Sequence, residues 1–196
     1  MIKALLFAFE PAATWEKVAL RKRTSAFVFF VYFLPLLILS LAAQIAGLNH
    51  FGHRDELSGE VLVVKERLLL IYGAAEFGLS LLAVLLSAQV VKAFAGTFHA
   101  RHRYGECLIV VAYSLGPVFL VRMMDAFAWM NPWASLGIGL VLFWRVLYPG
   151  LPKILEPDPP QAFGLYLSSM VTVSIIVGMG RFLSVLVLQQ KLEFLR

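Results

Sequence analysis

Charge is what this sequence has least of. Of its 196 residues only 15% are Asp, Glu, Lys or Arg, against about 25% in an average soluble domain. A water-soluble chain of that length has too much surface to cover with so few charges, so the scarcity excludes an ordinary soluble globule. Cysteine is nearly missing too. Cys107 stands alone, which rules out an intramolecular disulfide, a multi-Cys zinc site and a Cys-x-x-Cys redox pair. It reads as a small buried apolar residue. There is no phosphate-cradling Gly-rich loop, and the serines lack a nucleophile-elbow context. No internal repeat is apparent, which leaves an inverted-repeat transporter unsupported. No catalytic, cofactor-binding or metal-binding constellation is expected, so the chain reads as a non-enzyme.

What the chain has in quantity is apolar length. Hydrophobic residues make up 60% of it, gathered into runs near the roughly twenty residues that a membrane helix needs. The expected fold is therefore all-α: a polytopic membrane protein with five transmembrane helices at about 26–48, 68–94, 106–125, 133–148 and 163–188. Together these make one transmembrane domain over 26–196, preceded by a short amphipathic segment over 1–25. Pro35 sits in the middle of the first span and Pro117 in the third; both are expected to kink their helices. The Pro-rich stretch 150–161 reads as too irregular to span. Gly137 and Gly139 invite close helix packing.

The amino-terminal segment opens on an apolar run, 4–9, cut by Glu10-Pro11. That run is short for a signal-peptide core, and the segment reads as retained. Pro11 suits the first turn of a helix that places Ala12, Trp15 and Ala19 on one face. Lys17, Arg21, Lys22 and Arg23 line its later turns. Two readings fit equally: a helix lying among cytoplasmic headgroups, or a plain lead-in to the first span. A second basic stretch, 96–105, carries His99, Arg101, His102 and Arg103. Trp15, Lys17, Arg21, Lys22, Arg23, Arg101 and Arg103 are thus the candidate contacts to anionic lipid headgroups. The polar segment 49–67 contains His50-x-x-His53 followed by Asp55, Glu56 and Glu60, and reads as solvated surface rather than a metal site.

The net charge of +5 is read by side of the membrane, not as a nucleic-acid footprint. With the amino terminus in the cytoplasm, nine Lys and Arg fall inside and five outside, with Arg122, Arg145 and Arg181 within spans. That asymmetry puts the amino terminus inside and the carboxyl terminus outside. At 1.5 Å per residue, Glu76 lies about 6 Å, Arg122 about 10 Å and Arg181 about 7 Å to the outer side of mid-span. An intramembrane cluster of Glu76, Arg122 and Arg181, with Asp125 one turn above Arg122, is therefore geometrically open. Such groups are costly in a bilayer and face protein, water or each other. Glu106 and Arg145, at the inner ends of adjacent antiparallel spans, form a second candidate pair. A transport path and a set of structural cross-links both fit the outer cluster.

Four stretches carry a resemblance to a known family. They are Phe9-Glu10-Pro11 with Thr14-Trp15-Glu16-Lys17-Val18, then Tyr32-Phe33-Leu34-Pro35-Leu36-Leu37, then Ala112-Tyr113-Ser114-Leu115-Gly116-Pro117, and finally Gly150-Leu151. The chain resembles the Yip family, the Ypt/Rab-interacting five-span membrane proteins, in its short bacterial form. Tyr113, Ser114 and Pro117 fall on the family's Tyr-x-x-x-Pro signature in the third span. The long hydrophilic amino-terminal region and the Asp-Leu-Tyr-Gly-Pro motif of eukaryotic members are absent, and GTPase binding is not carried over with them. The resemblance implies five helices, a cytoplasmic amino terminus, and binding to membrane partners or to further copies of the chain. Two functions follow as expectations for the bacterial cytoplasmic membrane: a scaffold or adaptor that binds membrane proteins or organises lipid, and, as the alternative, a transporter, channel or lipid-moving protein.

Overall fold

The computed structural model describes residues 2–21, 23–54, 61–62, 64–101, 103–127 and 129–193. Two short helices, α1 (Ile2–Phe9) and α2 (Pro11–Arg21), come first. The first membrane-length helix is composite, made of α3 (Ser25–Phe27), a π-helical segment (Val28–Phe33) and α4 (Leu34–Phe51). It is followed by α5 (Glu66–Thr97), α6 (Tyr104–Arg122) with a 3₁₀ turn (Met123–Ala126), α7 (Pro132–Leu155) and α8 (Ala162–Glu193). Among the described residues five helices are thus long and apolar enough to cross a membrane. The protein is an integral, all-α membrane bundle. Between α4 and α5 a two-residue antiparallel ladder forms, β1 (His53–Arg54) on β2 (Val61–Leu62). Asp55, Glu56 and Glu60 of that loop lie outside the described residues.

Local chemistry sets several helix boundaries. The Thr24 side chain accepts the amide of Phe27 at 3.4 Å, and Asn131 accepts that of Trp133 at 2.8 Å just before Pro132. Both are N-caps that satisfy an otherwise orphaned donor. Pro35 acts differently from a simple kink. A proline collides with the carbonyl four residues earlier, here Val31. The turn ahead of it is π-helical, with the Leu34 amide bonded to the Phe29 carbonyl, so the extra residue per turn absorbs the misfit within the span. α6 runs as continuous helix through Pro117.

The fourth helix is longer than its sequence predicts. The stretch 150–155 is helical, and Pro149 and Pro152 lie inside α7, which ends at Leu155 where Glu156 adopts a left-handed backbone. Packing overrides local propensity there: Gly150, Leu151 and Leu155 are all buried against the amino-terminal hairpin and its neighbours.

Centrality differs sharply among the spans. In α6, 72% of the apolar window is buried, against 28–44% in the other four. It packs on α1, the π-helical segment, α4, α5 and α7, while α8 closes the bundle against α5 and α7. Glycines permit two backbone-close crossings. Gly47 of α4 lies directly on the backbone of Ala126, and a Cβ at Gly139 of α7 would sit 3.2 Å from the Val118 Cα of α6. Gly137 has open space instead.

α1 and α2 fold back as a hairpin on α6 and α7. This corrects the headgroup placement of Trp15. The indole is fully buried, donates from Nε1 to the Val146 carbonyl at 2.9 Å, and fills the space above Gly150, where a Cβ would come within 2.5 Å of the ring. A buried indole needs a partner for its N–H, and the α7 backbone supplies one. Arg145 donates to the Phe9 carbonyl at 3.2 Å, and Lys153 holds Glu16 at 2.5 Å. Lys153 keeps the exposed Glu16 carboxyl below the usual carboxylate range. That tie is therefore present above the ordinary Glu range and lost as pH falls through the lowered one.

Trp15→Ala and Gly150→Val act on one socket, the first by emptying it and the second by closing it. Each should cost about 3 kcal/mol, with the double variant little worse than either single. Thermal unfolding in detergent checks this; fully additive losses would show that there is no shared socket.

Candidate functional site

Among the described residues, Glu76, Arg122 and Arg181, the buried charged residues of the bundle, collect at the end opposite the hairpin. α4 contributes Ser40 and Gln44, one turn apart. α5 contributes Tyr72, Glu76 and Ser80 at the same four-residue spacing, which puts them on one helix face. The end of α6 and its 3₁₀ turn bring Arg122 and Asp125, and α8 brings Arg181. Glu76, Arg122 and Arg181 are each no more than 4% exposed.

Arg181 is the hub of these contacts. Its Nη2 meets Asp125 Oδ2 at 2.6 Å, and its Nη1 lies 3.7 Å from Glu76 Oε2. Nη1 also donates to Gln44 Oε1 at 3.2 Å and to the Tyr72 hydroxyl at 3.1 Å. Tyr72 in turn donates to Gln44 Oε1 at 3.2 Å, and Gln44 Nε2 donates to Ser40 Oγ at 3.3 Å. Arg122 is ion-paired to Glu76 Oε1, which also accepts from Ser80 Oγ at 3.4 Å. Two arginines and two carboxylates give the network zero formal charge. In a low-dielectric interior such a set stands only if each charge keeps its partners. Nε of both arginines and Oδ1 of Asp125 remain without a hydrogen-bond partner among the described residues.

Glu76, Arg122, Asp125 and Arg181 are thus brought together. Gln44 and Tyr72, which the sequence reading passed over, complete the shell around Arg181. Their signal was present: Gln44 is the one amide in the first span and follows Ser40 by four residues, and Tyr72 precedes Glu76 by four. Glu106 and Arg145 are not brought together. Arg145 turns to the last carbonyl of α1, an unpaired helix-end oxygen that attracts a cation. Oε2 of Glu106 is buried with no hydrogen-bond partner among the described residues.

The signature residues Tyr113, Ser114 and Pro117 are all buried in α6. The Tyr113 ring is the meeting point of the hairpin and the first span, 4.5 Å from Tyr32, 5.0 Å from Phe7 and 5.8 Å from Trp15 between centroids. Its spacing to Pro117 is the helical i, i+4 at which a proline deprives a carbonyl of its amide partner. Gly116 between them leaves the place that the Tyr32 hydroxyl takes, so any side chain there would collide with it.

Of the candidate headgroup contacts, Lys17, Arg21, Arg101 and Arg103 are exposed at the hairpin end, and Arg23 is half-buried with its guanidinium 4.2 Å over the Phe27 ring. Lys22 lies outside the described residues. Among the described residues no group of three or more His, Cys, Asp or Glu is placed to hold a metal ion. A family model described as the Yip1 domain matches residues 4–182. No curated protein and no solved structure matches.

Removing one partner of a buried pair strands the other, at about 3–5 kcal/mol. Glu76→Gln should therefore lower the unfolding midpoint in detergent, and Arg181→Glu should lower it further by setting three carboxylates together. Unchanged stability of both variants would sink the network as a structural element.

Proposed function

The chain belongs to the Yip1 family, and from that premise we propose that it is a non-enzymatic membrane scaffold or adaptor. In this reading it binds other membrane proteins or further copies of itself and organises lipid around the bundle. It sits in the bacterial cytoplasmic membrane with its amino terminus in the cytoplasm and its carboxyl terminus outside. Support for the orientation comes from the gathering of Lys17, Arg21, Arg23, Arg101, Arg103 and Lys153 at the hairpin end, since basic residues favour the cytoplasmic face. Exposed Leu5, Leu6 and Phe9 of α1 offer that end an apolar face for the interface.

The observation that carries the reading is that the polar chemistry is turned inward and the contact chemistry outward. The charged groups of the buried cluster, Glu76, Arg122, Asp125 and Arg181, are spent on each other. The cavity beside Arg122 and Arg181 holds only about 10 Å³, room for about one water. On the outside, Gly78, Gly137 and Gly178 have open space where a side chain would be, and small residues on lipid-facing surfaces let another helix come close. A transporter or channel using the Glu/Arg cluster remains the second reading, favoured by the unpartnered Nε atoms of Arg122 and Arg181.

The two readings separate by experiment. With Cys107→Ser as background, Gly137→Cys or Gly178→Cys is expected to cross-link in native membranes, to a second copy or to one reproducible membrane protein. Proteoliposomes are expected to show no flux that depends on Glu76. A monomer without partners whose flux disappears with Glu76→Gln would reverse the choice.

A further inference from the structure

Two adjoining cavities of about 650 and 450 Å³ open at the hairpin end, and Arg101, Arg103, Glu106 and Glu156 line both. The smaller adds Arg23 and Lys153, with an apolar wall that includes Val18, Val28 and Ile109. Some of these charges are already matched. Arg101 is bonded to Glu156 at 2.6 Å and Lys153 to Glu16 at 2.5 Å. Arg103 and Arg23 have no acidic partner among the described residues. Glu106 has the opposite deficit, a buried Oε2 with no donor among the described residues. Among the described residues, one site therefore holds a pair of guanidinium groups without an acidic partner and a carboxylate oxygen without a donor.

A simple anion would satisfy the arginines and be repelled by Glu106. A simple cation would do the reverse. What answers both is a ligand that carries a phosphate and, a few bonds away, an N–H donor with positive charge. Guanidinium groups match phosphate oxygens, and a primary ammonium has three donors for a carboxylate. The cavity lies at the hairpin end of the spans, and Arg23, which lines it, sits over the exposed Phe27 ring at the start of the first span. The ligand thus has an apolar tail. We propose that this is a binding site for an aminophospholipid, with the phosphate on Arg103 and Arg23 and the ammonium on Glu106.

The backbone gives independent support. His99 (φ 52°) and Glu156 (φ 46°) are the non-glycine residues in left-handed conformation among those described, and both line the larger cavity. Each follows the end of a helix, where glycine is the unstrained choice. The amide of Ala100 bonded to the Ala95 carbonyl at 2.9 Å marks the first as such an end. Side chains are kept there at a cost, and strained positions of this kind cluster at ligand sites. Here Glu156 orients Arg101, and His99 is held by Gln161 at 3.1 Å.

The site deepens the lipid-organising part of the proposed function. It is read by lipid occupancy on the purified chain, so it can fail while partner binding stands, and the reverse. The test is native mass spectrometry of the delipidated full chain, titrated with phosphatidylethanolamine, phosphatidylcholine or phosphatidylglycerol. Phosphatidylethanolamine should bind about tenfold better than phosphatidylcholine, whose quaternary nitrogen has no N–H, the weight of one charge-assisted hydrogen bond. E106Q should bring the two close to parity, and R103Q, on an exposed side chain, should weaken both. Equal binding of the two lipids by the unaltered chain, or a preference that E106Q leaves in place, overturns the site. Phosphatidylglycerol binding as well as phosphatidylethanolamine overturns the ammonium assignment. Soluble glycerophosphoethanolamine competing as well as the whole lipid overturns the lipid.

Discussion

The bundle depends on a condition that a bilayer imposes: a charge at hydrocarbon depth must have its counter-charge beside it. Arg181 meets that condition only if α5 supplies Glu76 and the turn after α6 supplies Asp125. Among the described residues Arg122 meets it through Glu76. Gln44 and Tyr72 then close the shell from α4 and α5. Four of the five spans are thereby tied at one end by a network in which no member is dispensable. Such a network adds little net stability over an apolar core, but leaving any member unpaired is expensive. Its contribution is to make other arrangements of these helices unfavourable.

The opposite end is fixed by different physics. Phe7, Trp15, Tyr32 and Tyr113 stack about α6 with no charge among them, and two ties to the hairpin run through backbone carbonyls, beside the Lys153–Glu16 pair at its rim. Shape decides there. Gly116 makes room for the Tyr32 hydroxyl and Gly150 for the Trp15 ring. α6 takes part in both ends, which is why it is the most buried span. The Tyr-x-x-x-Pro motif follows from that position: Tyr113 is the ring on which the hairpin and first span converge, and its neighbours must be small or fixed in backbone.

How much of this was legible in the sequence follows from the same division. Span count and class were legible because hydrocarbon thickness imposes a length that composition reveals. The approach of Glu76, Arg122 and Arg181 was legible because depth in a membrane is nearly one-dimensional, and helical rise converts position into height. Azimuth is not available in that way. Glu106 and Arg145 share a level, yet Arg145 turns to Phe9 of the hairpin, and nothing in spacing alone indicates which way a side chain turns. Trp15 misled for a related reason. A Trp beside a basic cluster is the ordinary composition of an interface, and only the socket above Gly150, far away in sequence, makes it core. The helix through Pro149 and Pro152 escaped likewise, because tertiary burial there outweighs what proline does to an isolated segment.

That division also bears on whether the ionic network is a path or a brace. A path for ions or lipid needs a hydrated volume that reaches the charges and charges that are free to change partners. Arg181 is held by Asp125, Gln44, Tyr72 and Glu76 at once, so moving it breaks several contacts together. The space beside it is about the size of one water. Arg122 and Arg181 line that space, and their Nε donors have no partner among the described residues; a single water there would complete the network rather than open it. The larger cavities lie at the other end, lined by exposed arginines and bounded by an apolar wall. On the lipid site proposed above, exchange there would not require the bundle to move. On the proposed scaffold reading, a bundle whose buried charges are locked together and whose open cavities lie at the hairpin end is suited to hold its surroundings, not to pass them through.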